Sequence, residues 1–348
     1  MYITVYAIAK DEEEFAERFA KSTAKADKVV VLDTGSTDKT IEILRQHGVT
    51  VKQQKINPWR FDVARNESMK LIPKKTDIAI AMDLDDIMVD NWRELVEENW
   101  EKGMTQLRYQ YPYSHFDEAQ TEPSLIVYGF KVHCPTTYYW KNPVHEYLLP
   151  HEGKEEVFGL VDEPLLIHQT KVKEERKTRL PLFKMGLDED PTNERLQHLY
   201  GRELMFDRQF DQAIVELKKH LAITPSYPEG EDFYMSASRA RSCLYIADCL
   251  IGKNADPNEI MVWLIRAVAE SPGERDTWMY LARGWFNVKD YKSAYACVHR
   301  ALSITERSSS PETLEWCWGE RAEDFRKAIT SKFIDDFVTE NIPDNVEN

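Results

Sequence analysis

Apolar and polar positions follow two different rhythms along this chain. From residue 1 to about residue 90, short apolar runs rich in β-branched residues (YITVYAIA, KVVVLDTGS, VTVKQQ and DIAIAMDL) read as strands. Between them lie stretches with helical spacing. EEEFAERFAKSTAKA sets Phe15 and Phe19 on one helical face, and TIEILRQHG is preceded by candidate N-cap side chains from Ser36 to Asp38 and closed by Gly48. RNESMKLI and VDNWRELVEENW complete the series. Strands separated by helices predict right-handed crossovers and a parallel sheet covered on both faces. Residues 105–170 change character: the aromatic runs QLRYQYPYSHF, LIVYGFKVH, TTYYW and EPLLIHQT, broken by Pro, Gly and Asn, predict an antiparallel extension of the sheet with long loops.

Beyond about residue 174 the period becomes helical throughout, opening with the charged stretch KVKEERKTRLPL. ERLQHLYGRELMFDRQFDQAIVELKKHLAITP places Gly201, Ala213 and Pro225 where the tetratricopeptide repeat has its small residues and its proline. RDTWMYLARGWFNVKDYKSAYACVHRALSIT matches with Trp278, Leu281, Ala282, Ala294 and Ala301. A poorer copy lies between them, with Ala267 and Pro272 in phase and Asp248 where a small residue is expected. Paired helices approach closely at the small positions, and stacked pairs bury faces that one pair alone leaves open. PETLEWCWGERAEDFRKAITSKFIDDF then reads as an amphipathic cap; an unrelated helical bundle is the competing reading. The expected partition is 1–172 for an α/β domain, 173–192 for a linker or bracing helix, and 193–340 for the repeats and their cap.

A chain of 348 residues is long enough for two cores. Its 45 basic and 60 acidic residues give a net charge of −15, so no global field draws it to nucleic acid or anionic lipid. MYITVYAIAKDEEE lacks a basic leader region, and no run approaches the roughly 18 apolar residues of a membrane span. The five cysteines show no paired spacing and read as reduced, mostly buried thiols of a cytoplasmic protein.

Candidate chemistry gathers at strand ends. In an open parallel sheet ligands bind outside the C-terminal ends of the strands. There IAIAMDLDD delivers Asp83, Asp85 and Asp86. Crowded carboxylates repel one another unless a cation sits among them, and a hard divalent ion with oxygen ligands, Mg²⁺ or Mn²⁺, satisfies them while sharing its shell with substrate phosphates. An exposed acidic turn capping a helix from near Val89 is the alternative. VVVLDTGSTDKT puts Asp33 at a strand end before a Gly-Ser turn and a helix N-terminus suited to anions, or simply to the Asp38 carboxylate. PWRFDVARNES adds Arg65, positioned to fork onto a diphosphate or to pair with Asp83 or Asp85.

VYAIAKDEEE, VVLDTGSTDKT, FDVARNES and AMDLDD, in this order and spacing, resemble family two glycosyltransferases of GT-A fold, and the helical tail resembles the subset of that family with tetratricopeptide repeats. The resemblance implies a Rossmann-like mixed-sheet catalytic domain at 1–172 followed by an all-α repeat domain. It implies that Ala9, Asp11, Glu12 and Asp33 lie against the nucleoside of the donor, that Asp83 reaches the ribose, and that Asp85 binds the ion holding the diphosphate. Relatives often carry a second acidic residue where this chain has Thr34. In repeat-bearing relatives a His-Glu pair follows an aromatic stretch, matched here by His145 and Glu146 in YYWKNPVHEYL; Glu146 is then the catalytic base, and His145 and His168 compete as a further metal ligand.

The function implied is a metal-dependent inverting transfer of a sugar from a nucleotide-diphosphate donor, a UDP-sugar foremost, with the metal and Arg65 stabilising the leaving diphosphate. Trp59, Tyr138, Tyr139 and Trp140 are candidates for stacking on sugar or acceptor, or for ordinary packing. Protein or peptide, glycan and modified nucleobase are the acceptor classes open, DNA being disfavoured by charge. A repeat scaffold that binds a nucleotide sugar without turnover is the competing function. A nucleotidyltransferase is set aside because AKDEEE replaces the Gly-rich basic loop it needs after the first strand.

Overall fold

The computed structural model describes residues 1–115, 125–170, 179–223, 232–306 and 314–341. Residues 171–178 of the charged stretch, Pro225 and residues 311–313 lie outside the described residues. The chain forms two compact units, Met1–Glu175 and Arg176–Asn348.

In the first unit, β1 (Ile3–Ala9), β2 (Lys28–Asp33), β3 (Thr50–Gln53) and β4 (Ile78–Met82) are parallel neighbours in the order β3-β2-β1-β4. Helices α1 (Glu13–Ser22), α2 (Thr40–Gln46) and α3 (Phe61–Met69) make the crossovers, and α4 (Trp92–Asn99) follows β4. The run IAIAM shows why the sheet is buried on both sides. Ile78, Ile80 and Met82 enter a core with Phe15, Phe19, Leu44, Trp92 and Leu95, whereas Ala79 and Ala81 face Tyr6, Tyr138, Trp140 and Leu148. Small residues stand on the second face because large aromatics are packed against it.

The sheet continues from β4 through β7 (Leu125–His133), β6 (Gln106–His115), β11 (Leu166–Thr170) and β5 (Asp86–Met88), with β10 (Phe158–Pro164) also on β6. Only part of this extension is antiparallel. β7 runs against both β4 and β6, but β10 and β11 pair parallel to β6. β8 (Tyr138–Lys141) and β9 (Tyr147–Pro150) leave the sheet as a separate hairpin. The aromatic runs specify strands; partner and direction depend on loops whose sequence does not encode them.

Tyr138 and Trp140, candidates for stacking on sugar, are instead core residues. Trp140 Nε1 donates to the Tyr6 hydroxyl at 2.8 Å, and that hydroxyl lies 2.8 Å from His133 Nε2. Burial holds the His133 imidazole at about 4, against a weak opposing bond to the Cys134 carbonyl. A histidine in the unfolded chain titrates near 6.5, so the unfolded state binds the extra proton first as pH falls. Acidification from about pH 6.5 to 4 should therefore remove about 3 kcal/mol from the stability of this unit. Urea unfolding across that range should show a slope for the native protein that His133→Gln lacks; equal slopes would refute the assignment.

The second unit is a run of helix pairs of tetratricopeptide type: α5 (Leu180–Glu189), α6 (Glu194–Phe206) with α7 (Phe210–Ala222), α8 (Asp232–Gly252) with α9 (Pro257–Glu270), and α10 (Arg275–Asn287) with α11 (Tyr291–Leu302). A 3-10 turn, Glu315–Cys317, leads into α12 (Gly319–Asn341), which packs on α11. Asn193, Asp256 and Asp290 cap α6, α9 and α11 through their side chains. A Cβ at Gly201 would stand 2.6 Å from the Leu217 side chain, so the first pair closes only over a glycine. Ala213, Ala282, Ala294 and Ala301 are fully buried at the other close approaches. Asp248, the exception in the pattern, accepts from the Tyr280 hydroxyl at 3.2 Å and from Arg283 Nη2 at 3.4 Å, both on α10. All five cysteines are free and four are buried. No helix among the described residues is long and apolar enough to cross a membrane.

Candidate active site

The ends of β1 and β2 are laced together. Thr34 donates its main-chain N–H (2.8 Å) and its hydroxyl (3.1 Å) to the Ala9 carbonyl. The threonine that stands in place of a second acid is thus a clamp between neighbouring strands. Asp33 is fully buried, and its Oδ1 accepts from the N–H groups of Gly35 and Ser36, both at 3.1 Å, while Ser36 Oγ donates to Oδ2. Asp33 therefore fixes the Gly-Ser turn. The loop after β1 docks onto it: Asp11 N–H donates to Ser36 Oγ at 2.9 Å, Thr37 N–H to Asp11 Oδ1 at 2.7 Å, and Glu12 N–H to Thr40 Oγ1 at 2.7 Å. Ala9, Asp11, Glu12 and Asp33 form one continuous rim at the C-terminal edge of β1 and β2.

At the end of β4 the three carboxylates differ sharply in exposure, 35% for the Asp83 side chain, 15% for Asp85 and 0% for Asp86, which rules out an exposed acidic turn. The cations absent from the local sequence arrive from elsewhere in the fold. Arg65, on α3, donates through Nη2 to Asp83 Oδ1, through Nη1 to the Met82 carbonyl at 3.0 Å, and through Nε to Glu146 Oε1 at 3.1 Å. Its guanidinium lies 5.3 Å from the Trp140 ring centroid. Lys131, on β7, donates to Asp83 Oδ2 at 2.9 Å and to Asp86 Oδ2 at 3.1 Å. Asp86 further accepts from the Tyr111 hydroxyl, from the Asp83 N–H at 3.0 Å, and from His168 Nδ1 at 2.9 Å.

Burial pushes the Asp83 carboxyl up, but the Arg65 and Lys131 charges outweigh it and hold the group well below the usual carboxylate range. Asp86 is lowered in the same way, by Lys131 and the His168 bond against burial. Burial pulls Lys131 and His168 down, and in each case the neighbouring aspartates win and raise the group.

Glu146 and His145 lie on the loop between β8 and β9. Asn66 brackets the Trp140 backbone, donating through Nδ2 to its carbonyl at 2.8 Å and accepting its N–H at 2.9 Å, and Phe61 N–H donates to the Pro143 carbonyl at 3.0 Å. These bonds fasten the loop to α3 and bring Glu146 to Arg65. Among the described residues nothing donates to Glu146 Oε2. His145 takes a positive φ of 49° and stands outside the carboxylate group. His168 stands inside it: Asp85, Asp86 and His168 each offer a ligand atom, all within 4.8 Å of one another. Two carboxylates and an imidazole fit Mn²⁺ or Mg²⁺ completed by further oxygens. Lys131 and Tyr111 are the residues sequence reasoning missed; the signal available was one lysine in the apolar run LIVYGFKVH, in phase with the buried His133.

Residues 4–174 match the family model of Glycosyl transferase family 2. Nothing among curated proteins matches the chain. Among solved structures, glucosyl-3-phosphoglycerate synthase from Mycobacterium tuberculosis, in complex with Mn²⁺, UDP and glucosyl-3-phosphoglycerate, is 24% identical over 31% of this chain and 43% of its own, with a TM-score of 0.28. MamA is 14% identical over 48% of this chain and 87% of its own, TM-score 0.32, and PilF from Pseudomonas aeruginosa 12% identical over 46% and 62%, TM-score 0.34. The chain thus spans less than half the length of the mycobacterial synthase, and likenesses at these TM-scores support no statement about the site. The family match covers residues 4–174, nearly the whole of the first unit, and that unit is similar to glycosyl transferase family 2.

Proposed function

We propose that the chain is a metal-dependent inverting glycosyltransferase that moves a sugar from a nucleotide-diphosphate donor, a UDP-sugar foremost, to an acceptor. The observation that carries this reading is the convergence of Asp85, Asp86 and His168 at the C-terminal edge of the sheet, within a unit that matches family 2. A bound Mn²⁺ or Mg²⁺ would be held by Asp85 with His168 and would neutralise charge on the departing diphosphate. The remaining work falls to the chain's own residues. The rim from Ala9 to Glu12, set by Asp33, would seat the nucleoside, and Asp83, clamped by Arg65 and Lys131, would present its carboxylate to the ribose. Arg65, buried and fixed on Asp83 and Glu146, would supply positive charge without reorganisation.

Glu146 is the proposed base. Its Oε1 is oriented by Arg65 Nε while Oε2 is left to take a proton from the acceptor, as a positioned base requires. The helix pairs of the second unit belong to an architecture that commonly binds extended peptides, which makes a protein or peptide the acceptor proposed first.

The test is release of nucleoside diphosphate from a panel of sugar nucleotides with Mn²⁺, with and without chelator. One donor should be hydrolysed slowly in a metal-dependent way. Glu146→Gln should lower that rate about a hundredfold with donor affinity unchanged. Donor binding without turnover would establish the scaffold reading instead.

A further inference from the structure

The three carboxylates after β4 keep different company. Asp83 commits both oxygens to fixed cations, Oδ1 to Arg65 and Oδ2 to Lys131. Asp86 commits Oδ2 to Lys131 and to the Asp83 N–H, and Oδ1 to Tyr111 and His168. Asp85 alone accepts no hydrogen bond on its carboxylate among the described residues; His168 Nδ1 lies 3.8 Å from its Oδ1, and Arg18 Nη2 donates to its main-chain carbonyl at 3.1 Å. To an incoming divalent cation the protein therefore offers one carboxylate that accepts no hydrogen bond among the described residues, beside an imidazole already bonded through Nδ1 to Asp86.

That donor set is thin. Hard cations are bound by accumulated anionic oxygens, and an ammonium among the ligands opposes a second positive charge. The Lys131 ammonium is 17% exposed and stands against two of the three aspartates. A donor's diphosphate would bring the oxygens the protein withholds. From this geometry we propose that Lys131 is a positioning residue that keeps the site from taking a bare divalent cation, so that the metal enters together with the nucleotide diphosphate. The proposal rests on the transferase reading for the identity of the nucleotide. It goes beyond that reading by assigning the order of filling to one side chain.

Removing the ammonium has a sign that a structural role does not share. Lys131→Met releases Asp83 Oδ2 and one side of Asp86 Oδ2 and removes a like charge, so Mn²⁺ alone should bind more tightly. A lysine that merely holds the fold together would, on removal, weaken or leave unchanged every affinity of the site. Lys131→Arg keeps the charge and should behave as the native protein does.

The measurement is Mn²⁺ binding by the loss of the free-ion electron paramagnetic resonance signal, on the full chain, with no nucleotide and with UDP, GDP, ADP or CDP in turn. Native protein should bind Mn²⁺ at least a hundredfold more tightly with one of these nucleotides than without. Lys131→Met should bind Mn²⁺ alone at least tenfold more tightly than native protein, and Lys131→Arg should not. Native protein that binds Mn²⁺ equally well with and without every nucleotide overturns the proposal, whether or not Lys131→Met folds. Unchanged or weaker Mn²⁺ binding by a folded Lys131→Met overturns it too. If Lys131→Met tightens Mn²⁺ binding while chelator leaves donor hydrolysis untouched, the metal-dependent transferase reading fails and the role of Lys131 stands.

Discussion

Asp85→Ala is expected to lower turnover of the donor on the order of a thousandfold while leaving the melting temperature nearly unchanged. The two halves of that expectation come from one observation. Asp85 sits with Asp86 and His168 in the group able to hold a cation, yet its carboxylate accepts no hydrogen bond among the described residues. Removing it would strip a bound metal of that anionic ligand and breaks no hydrogen bond among the described residues; it takes one charge partner from Arg18, so the stability cost should stay within about 1 kcal/mol. Its neighbours differ. Asp86 is fully buried and accepts from four groups, so Asp86→Asn would disturb the fold and the site together, and its activity loss would say little about metal. Nucleoside diphosphate release at saturating Mn²⁺, set beside a thermal melt, checks the Asp85 prediction. Native-like turnover by Asp85→Ala would place the metal elsewhere.

What the sequence disclosed and what it hid follow from how far apart the partners lie. The strands β1 to β4 and the helices between them are written in local periodicity, and short motifs mark the strand ends, so Asp33, Arg65 and the aspartates could be picked out as candidates from the chain alone, and the rim from Ala9 to Glu12 from the family resemblance those motifs carry. The repeats were legible for the same reason, since Gly201 and the buried alanines recur at fixed spacing. The neutralisation of Asp83 and Asp86 was not. It requires β7 to insert beside β4 in a register that pairs Ile80 with Val132, which sets Lys131 next to Asp83, and nothing near either residue announces a pairing about fifty positions away. The sequence shows three carboxylates with no adjacent cation and so suggests a metal for all of them; the fold brings Arg65 and Lys131 onto Asp83 and Asp86 and leaves the Asp85 carboxylate without a hydrogen bond among the described residues. The strand Asp86–Met88 escaped for another reason: three residues are too few for a period to show.

Arg65→Met is expected to cost the first unit about 3 kcal/mol, the lower end of the range for breaking a buried ion pair by removing one partner, because the Asp83 side chain keeps 35% of its surface in water. Arg65 is 3% exposed and joins two carboxylates that have no reason to be neighbours without it. Taking away the guanidinium leaves the largely buried Glu146 without its cation and near Asp83, with Lys131 as the sole fixed cation on Asp83. In the native protein the depressed Asp83 pKa makes its contribution fully present above the ordinary carboxylate range and lost as pH falls. In Arg65→Met the sign should invert. Two crowded carboxylates raise each other's pKa, so the variant should gain relative stability as pH is lowered through about 5. Glu146→Gln in the Arg65→Met background removes one of the stranded charges and should restore part of the loss, a coupling that distant, independent sites do not show. Urea unfolding of the native protein, the two single variants and the double variant at pH 7 and pH 5 measures both the cost and its sign. A loss that is the same at both pH values and additive in the double variant would mean that Arg65 serves packing against Trp140 and not the pairing of Glu146 with Asp83.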